Sequence, residues 1–154
     1  MPAWAYALLA AAGLLVLGGI AYWQLIIAEG AYLGQRVVTW LYDIAAPRYD
    51  DIKQFDEDME AAFLGRPLAG ALRRVPGPLV LDVAAGSGRL PLALFAQPSF
   101  RGQVIGVDAS RPMLRLAADK LRPDAHRLLL IWRDAIRLPF RDGTFDAVTV
   151  LEML

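Results

Sequence analysis

The 154-residue sequence contains no cysteine, so a disulfide framework, a thiolate metal site and a cysteine nucleophile are all excluded. Its single histidine, His126, cannot build a histidine metal cluster alone, and no metal is expected. Charge is missing from one end. From Met1 to Gln35 the only charged side chain is Glu29, which leaves all sixteen Lys and Arg and fifteen of the sixteen acids in residues 36–154. No basic residue precedes Arg36, whereas a secretory signal wants a basic start before a shorter apolar core. A cleaved signal is therefore the weaker reading of that end. Basic clusters interleaved with aromatics are lacking too. Arg101, Arg111, Arg115, Arg122, Arg127, Arg133, Arg137 and Arg141 lie scattered, so no nucleic-acid partner is expected; they suit a solvated face or attraction to anionic lipid head groups.

What the sequence does have is an apolar excess, 56% hydrophobic residues, which is high for a soluble protein and is local. The stretch AWAYALLAAAGLLVLGGIAYWQLIIA, residues 3–28, carries no charge and is long enough to cross a bilayer core of about 30 Å as a helix. Trp4 and Tyr6 at one end and Tyr22 and Trp23 at the other fit interfacial aromatic belts, and Gly13, Gly18 and Gly19 are tolerated in such helices. Apolarity around the whole circumference argues against a one-faced surface helix. Residues 1–32 are thus expected to be a single transmembrane anchor. Because Arg36, Arg48 and Lys53 follow it, the positive-inside rule places the C-terminal domain in the cytoplasm.

Residues 33–76 form a polar transition, expected as juxtamembrane or cap helices broken near Pro47, then a linker. Val37, Val38, Trp40, Leu41 and Ile44 recur at helical spacing, which suits a face packed on the domain or lying in the membrane interface; a lid over a substrate is the sharper reading. Asp56, Glu57, Asp58 and Glu60 read as a solvated acidic face with no chemistry. Pro67, Pro76, Gly77 and Pro78 then punctuate the chain before residues 77–154. There strand and helix signals alternate. Strands are predicted at 79–83, 103–107, 127–132 and 145–151, with helices at 89–96 and from Pro112 to about Leu121, the second capped by Ser110. That alternation predicts an α/β Rossmann-like parallel sheet of about four strands, and such sheets bind ligands beyond the carboxyl ends of their strands.

The segment PLVLDVAAGSGRLPL, residues 78–92, falls at that place. Asp82, Gly86 and Gly88 occupy the first strand-to-helix turn, where glycines admit a ligand to the backbone and the helix start offers free N–H groups. A dinucleotide would want G-x-G-x-x-G/A, but counting from Gly86 puts Pro91 in the last position, and the Asp82 carboxylate would repel a phosphate. The alternative is S-adenosylmethionine, which carries an ammonium and a cationic sulfur. A carboxylate beside open backbone suits that cation.

These residues resemble the cofactor loop of the class I S-adenosylmethionine-dependent methyltransferases, of the small-molecule, UbiE-like kind, commonly D-x-G-x-G-x-G. LDVAAGSGR departs from it only at Ala84, which stands in the place of the first glycine and differs little in volume. VIGVDASRPML is similar to the family's second strand, and the resemblance implies that Asp108, with Ala109 beside it, holds the ribose hydroxyls. RDAIRLPFRDGTFDAVTVLEML resembles the stretch after the third strand, which implies that Asp134 reaches the adenine amino group and that Ala135 offers backbone to the ring. The expected cofactor site is therefore Asp82, Ala84, Gly86, Gly88, Asp108, Ala109, Asp134 and Ala135. No catalytic residue is assigned. Methyl transfer from a sulfonium needs a base only when the acceptor must lose a proton, and His126, placed before a strand, is not read as one.

Asp142 and Gly143 read as a turn, Asp146 as its positioning residue, and Glu152 as either structural or above the cofactor pocket. The family sheet has seven strands, so the chain is expected to be a fragment whose fourth strand forms an apolar edge. The acceptor is expected to be a small molecule, lipid or quinone-like on grounds of location, and the oligomeric state is undetermined. Two alternatives stand beside this reading: a non-catalytic nucleoside-binding membrane protein, and a nicotinamide-dependent oxidoreductase.

Overall fold

The computed structural model describes residues 2–27 and 34–151. They fall into two compact units, residues 1–41 and 42–153. In the first unit, helix α1 (Ala3–Tyr22) continues into a π-helical turn, Trp23–Ile27. Together these 25 residues, with mean hydropathy 2.0, are long and apolar enough to cross a membrane. Helix α2 (Gln35–Ala45) begins in this unit and ends in the second.

In the second unit a 3-10 turn, Ala46–Arg48, sits at the expected break around Pro47 and leads into α3 (Tyr49–Lys53). After Gln54, in the left-handed region at φ 50°, the Asp56 carboxylate accepts from the N–H groups of Asp58 and Met59 and so caps α4 (Glu57–Glu60). A π-helical turn, Ala61–Gly65, joins α4 to α5 (Arg66–Leu72). Gly65 is fixed by proximity, because a Cβ there would lie 2.1 Å from the Ala93 carbonyl oxygen. The expectation of a wholly solvated acidic face is corrected here. Asp56 spends its carboxylate on the helix start, and the half-buried Glu60 pairs with Arg89 through two contacts, 2.5 and 2.7 Å.

Four parallel strands follow: β1 (Leu79–Val83), β2 (Gln103–Asp108), β3 (Leu128–Trp132) and β4 (Ala147–Val150), in the spatial order β3-β2-β1-β4. α6 (Arg89–Phe95) connects β1 to β2, and α7 (Arg111–Lys120) with a 3-10 turn, Arg122–Arg127, connects β2 to β3. β1 is central. Its continuous apolar run follows from that position, since Val80 packs on one face with Leu90, Leu94, Val104, Ala69 and Leu72, while Leu81 and Val83 pack on the other with Val107 and the half-buried Ile131, Leu138 and Phe145. Leu90 and Leu94, four residues apart on α6, are 2% and 0% exposed, and burial of each is worth about 1.5–3 kcal/mol. The segment from β3 to β4 is pinned at its end: Leu79 N–H donates to the Asp146 carboxylate (2.8 Å) and Asp146 N–H to the Leu79 carbonyl (2.9 Å). Asp146 thus aligns β4 with β1, while Asp142 is exposed in a turn with Gly143 at φ 71°.

Candidate cofactor site

The loop after β1 is built from left-handed backbone. Ala84, Gly86 and Gly88 have φ of 57°, 52° and 82°, a region that glycine enters freely and other L-residues enter at a cost of about 1–2 kcal/mol. Ala84 therefore departs from the D-x-G-x-G-x-G pattern in conformation, whereas volume alone had suggested a minor change. The two glycines differ in purpose. A Cβ on Gly86 would meet nothing nearer than Met113 Cε at 3.5 Å, but one on Gly88 would lie 2.7 Å from Leu121 Cδ1 and 3.0 Å from Ala117 Cβ. Gly86 leaves backbone accessible. Gly88 lets α7 approach the loop.

Two acids stand at neighbouring strand ends. Asp108, at the end of β2, accepts from Gly86 N–H through Oδ2 (2.8 Å) and from Ser110 N–H through Oδ1 (2.7 Å). One carboxylate thus ties the first cofactor loop to the second. Its pKa is raised by burial, against the lowering effect of these backbone donors and with a further upward push from Asp43. Asp82, on β1, is 2% exposed and accepts from the Thr149 hydroxyl (2.9 Å). Burial lifts its pKa to about 7; the Thr149 bond opposes the rise and the nearby Asp108 adds to it. Removal from water penalises the charged form of each. A cation brought to this place would offset that penalty, and a phosphate would increase it.

The remaining expected residues lie beyond β2 and β3. The Ala109 carbonyl accepts from the Trp132 indole N–H (2.8 Å), and the Arg111 guanidinium stacks 3.7 Å from the centre of that ring. Arg133 N–H donates to the Asp108 carbonyl (2.9 Å), continuing the β2–β3 pairing into the site. Asp134 accepts from Ile136 N–H (2.8 Å) through Oδ1, and Ala135 packs half-buried against the cluster of Leu81, Val83 and Val107. Asp82, Ala84, Gly86, Gly88 and Asp108 are thus brought together directly, while Asp134 and Ala135 lie on the adjoining loop after β3. Glu152 lies outside the described residues. Among the described residues no group of three or more His, Cys, Asp and Glu could hold a metal ion.

Residues 80–154 match the family described as "Methyltransferase domain". The chain is 36% identical over 121 residues to the 2-phytyl-1,4-naphtoquinone methyltransferase of Synechococcus elongatus, covering 77% of this chain and 52% of that protein. It is 34% identical over 115 residues to the demethylmenaquinone methyltransferase of Lactiplantibacillus plantarum, covering 73% and 48%. Residues 80–154 belong to the class I S-adenosylmethionine-dependent methyltransferase family. The chain spans about half the length of these curated relatives. The fold is shared with the S-adenosylmethionine-dependent methyltransferase of Thiobacillus denitrificans, solved in complex with S-adenosyl-L-homocysteine, at a TM-score of 0.50 and 23% identity over 62% of this chain and 36% of that one.

Within this methyltransferase fold the site has a second layer that sequence reasoning missed. The Ser87 hydroxyl, between the two loop glycines, donates to Asp50 Oδ1 (2.7 Å) and accepts from Lys120 Nζ (3.1 Å), and Lys120 also pairs with Asp50 Oδ2 (2.9 Å). The Ser110 hydroxyl accepts from Met113 N–H (3.2 Å), as an N-cap does, and donates to Asp43 Oδ1 (2.5 Å). Arg89, the first residue of α6, lies over the Phe55 ring at 4.4 Å besides pairing with Glu60. Residues 42–60 therefore reach the methyltransferase loops through Asp43, Asp50 and Glu60. The only signal for this in the sequence is that acids interrupt otherwise apolar helical faces.

Proposed function

We propose that residues 77–154 bind S-adenosylmethionine, and that the protein transfers a methyl group from it to a small, lipid- or quinone-like acceptor at a membrane. The observation that supports this best is Asp108, a partly buried carboxylate at the carboxyl end of β2 that faces the left-handed loop after β1 through Gly86. The donor set fits the cofactor. Buried acids with raised pKa favour a cationic ligand, and the half-exposed Gly86, which has no side chain of its own, presents backbone to it.

On this reading Asp108 takes the ribose hydroxyls with Ala109 beside it, Asp134 takes the adenine amino group, Ala135 lines the ring, and Asp82 with Ala84, Gly86 and Gly88 forms the methionine end. Bound there, S-adenosylmethionine supplies an electrophilic methyl group on a cationic sulfur. The chain's own residues fix position: holding nucleophile and methyl collinear can lower a barrier by about 7–11 kcal/mol. No side chain is assigned as a base. The quinone-like acceptor rests on the relatives named above, and the membrane on the apolar helix Ala3–Ile27. We place residues 1–32 as a single-pass anchor, 33–76 as cap and linker, and 77–154 in the cytoplasm, because Arg36, Arg48 and Lys53 follow the span.

Calorimetric titration with S-adenosylhomocysteine tests the site. Asp108→Ala removes an acceptor for two hydroxyls, each charge-assisted bond being worth roughly 1.5–3 kcal/mol. The expected loss of affinity is at least about tenfold, with Asp142→Ala unchanged. Equal affinity for wild type and Asp108→Ala would mean that the ribose is held elsewhere. Tight NAD binding with no response to either sulfur nucleoside would overturn the choice of cofactor.

A further inference from the structure

We propose that Asp43 and Asp50 are positioning residues for the cofactor, each holding one cofactor loop through a serine hydroxyl, so that docking of residues 42–60 and cofactor affinity are one linked equilibrium. The inference rests on the cofactor reading above and adds its control from outside the Rossmann-like sheet.

The hydrogen-bond directions are fixed by chemistry. An ionised carboxylate only accepts, so the proton of Ser87 Oγ goes to Asp50 and the lone pair faces Lys120 Nζ. Ser110 Oγ accepts from Met113 N–H, which leaves its proton for Asp43. Both serines are buried, and neither hydroxyl can turn away without leaving a polar group unpaired. The two links converge. Asp108 accepts from Gly86 N–H and Ser110 N–H, with the Ala109 backbone as a further donor between them. Gly86 immediately precedes the serine that Asp50 holds, and Ser110 is the serine that Asp43 holds. Asp43 and Asp50 therefore hold two of the peptide groups that aim the ribose carboxylate.

Apolar packing closes the same gap. Ala46, Tyr49 and Met113 form one buried cluster with Tyr42, Ala45, Phe55 and Leu116 around it, and Met113 Cε reaches 3.5 Å from the Cβ direction of Gly86. Linkage then runs both ways: whatever docks the cap raises cofactor affinity, and the cofactor docks the cap by the same factor.

The test uses the full chain in detergent micelles with S-adenosylhomocysteine as the probe. Asp50→Ala and Ser87→Ala are each expected to weaken its binding roughly tenfold, the worth of a charge-assisted bond. The double variant should be within about twofold of either single one, because both remove the same link; Asp43→Ala should multiply the loss. Asp50→Asn, which keeps an acceptor for Ser87, should recover part of it. Hydrogen exchange supplies a second readout. Addition of the ligand should slow amides in residues 43–60 of wild type, and this slowing should shrink in Ser87→Ala. Wild-type affinity in both Asp50→Ala and Asp43→Ala, whatever their melting temperatures, overturns the proposal and leaves the cofactor reading intact. An additive Asp50→Ala/Ser87→Ala pair also overturns it. A wild-type chain that takes no S-adenosylhomocysteine removes the cofactor reading, and this inference with it.

Discussion

Ala84 holds a backbone angle that favours glycine, φ 57°, and its replacement is expected to help. Ala84→Gly relieves about 1–2 kcal/mol of left-handed strain but frees the unfolded chain by roughly 0.4–1 kcal/mol, so the net gain should be below about 1.5 kcal/mol, read from the urea midpoint. The sequence marks the position as unusual; only the dihedral says why. The sequence marks Asp82 as a candidate site acid but carries no sign of its pairing with Thr149, because the partner comes from a strand 67 residues away. Its pH dependence has a definite sign. The unfolded carboxyl ionises near 3.8 and the folded one near 7, so its contribution is fully present below pH 3.8 and is lost as pH rises to 7. The loss is on the order of 4 kcal/mol. Asp108, also raised by burial, acts in the same direction. Asp82→Asn should therefore gain stability relative to wild type on going from pH 4.5 to pH 8. A difference independent of pH would show that the carboxyl is not held protonated.

The strands and the two crossover helices could be read from the sequence to within a residue or two, because buried parallel strands are short apolar runs and Ser110 with Pro112 marks a helix start. Residues 42–72 are legible in the sequence only in outline. The break at Pro47 follows from local chemistry, but Asp43, Asp50 and Glu60 gain their roles from partners brought to them by the fold. The glycine loop shows the same limit, since one letter stands for two physical needs. Gly86→Ala is expected to cost about 1–2 kcal/mol for the left-handed angle alone. Gly88→Ala adds a methyl 2.7 Å from Leu121 and 3.0 Å from Ala117, so its cost should exceed that of Gly86→Ala by about 1–3 kcal/mol. Denaturation of the two variants side by side checks the order; equal losses would mean that α7 yields freely.

At the scale of the molecule, the sequence separates an uncharged end from a charged α/β unit, and the structure divides the chain at residue 41. On the proposed membrane reading, Leu14→Arg near the middle of Ala3–Ile27 should cost insertion about 2.5–3.5 kcal/mol. Alkaline extraction of membranes followed by blotting measures it. Wild type released as readily as the variant would remove the anchor. Gly65 carries a consequence of another kind. Because any side chain there would run into the carbonyl of Ala93, 2.1 Å from the Cβ position, the α4–α5 segment and α6 are cut to one another like a key and its lock. A chimera that borrows the cap of a relative without a glycine at this place would stand away from α6, and Asp50 would lose its reach to Ser87. Cap and sheet are then exchanged as a single block, and recombination libraries that cross over between them should be depleted of ligand-binding clones.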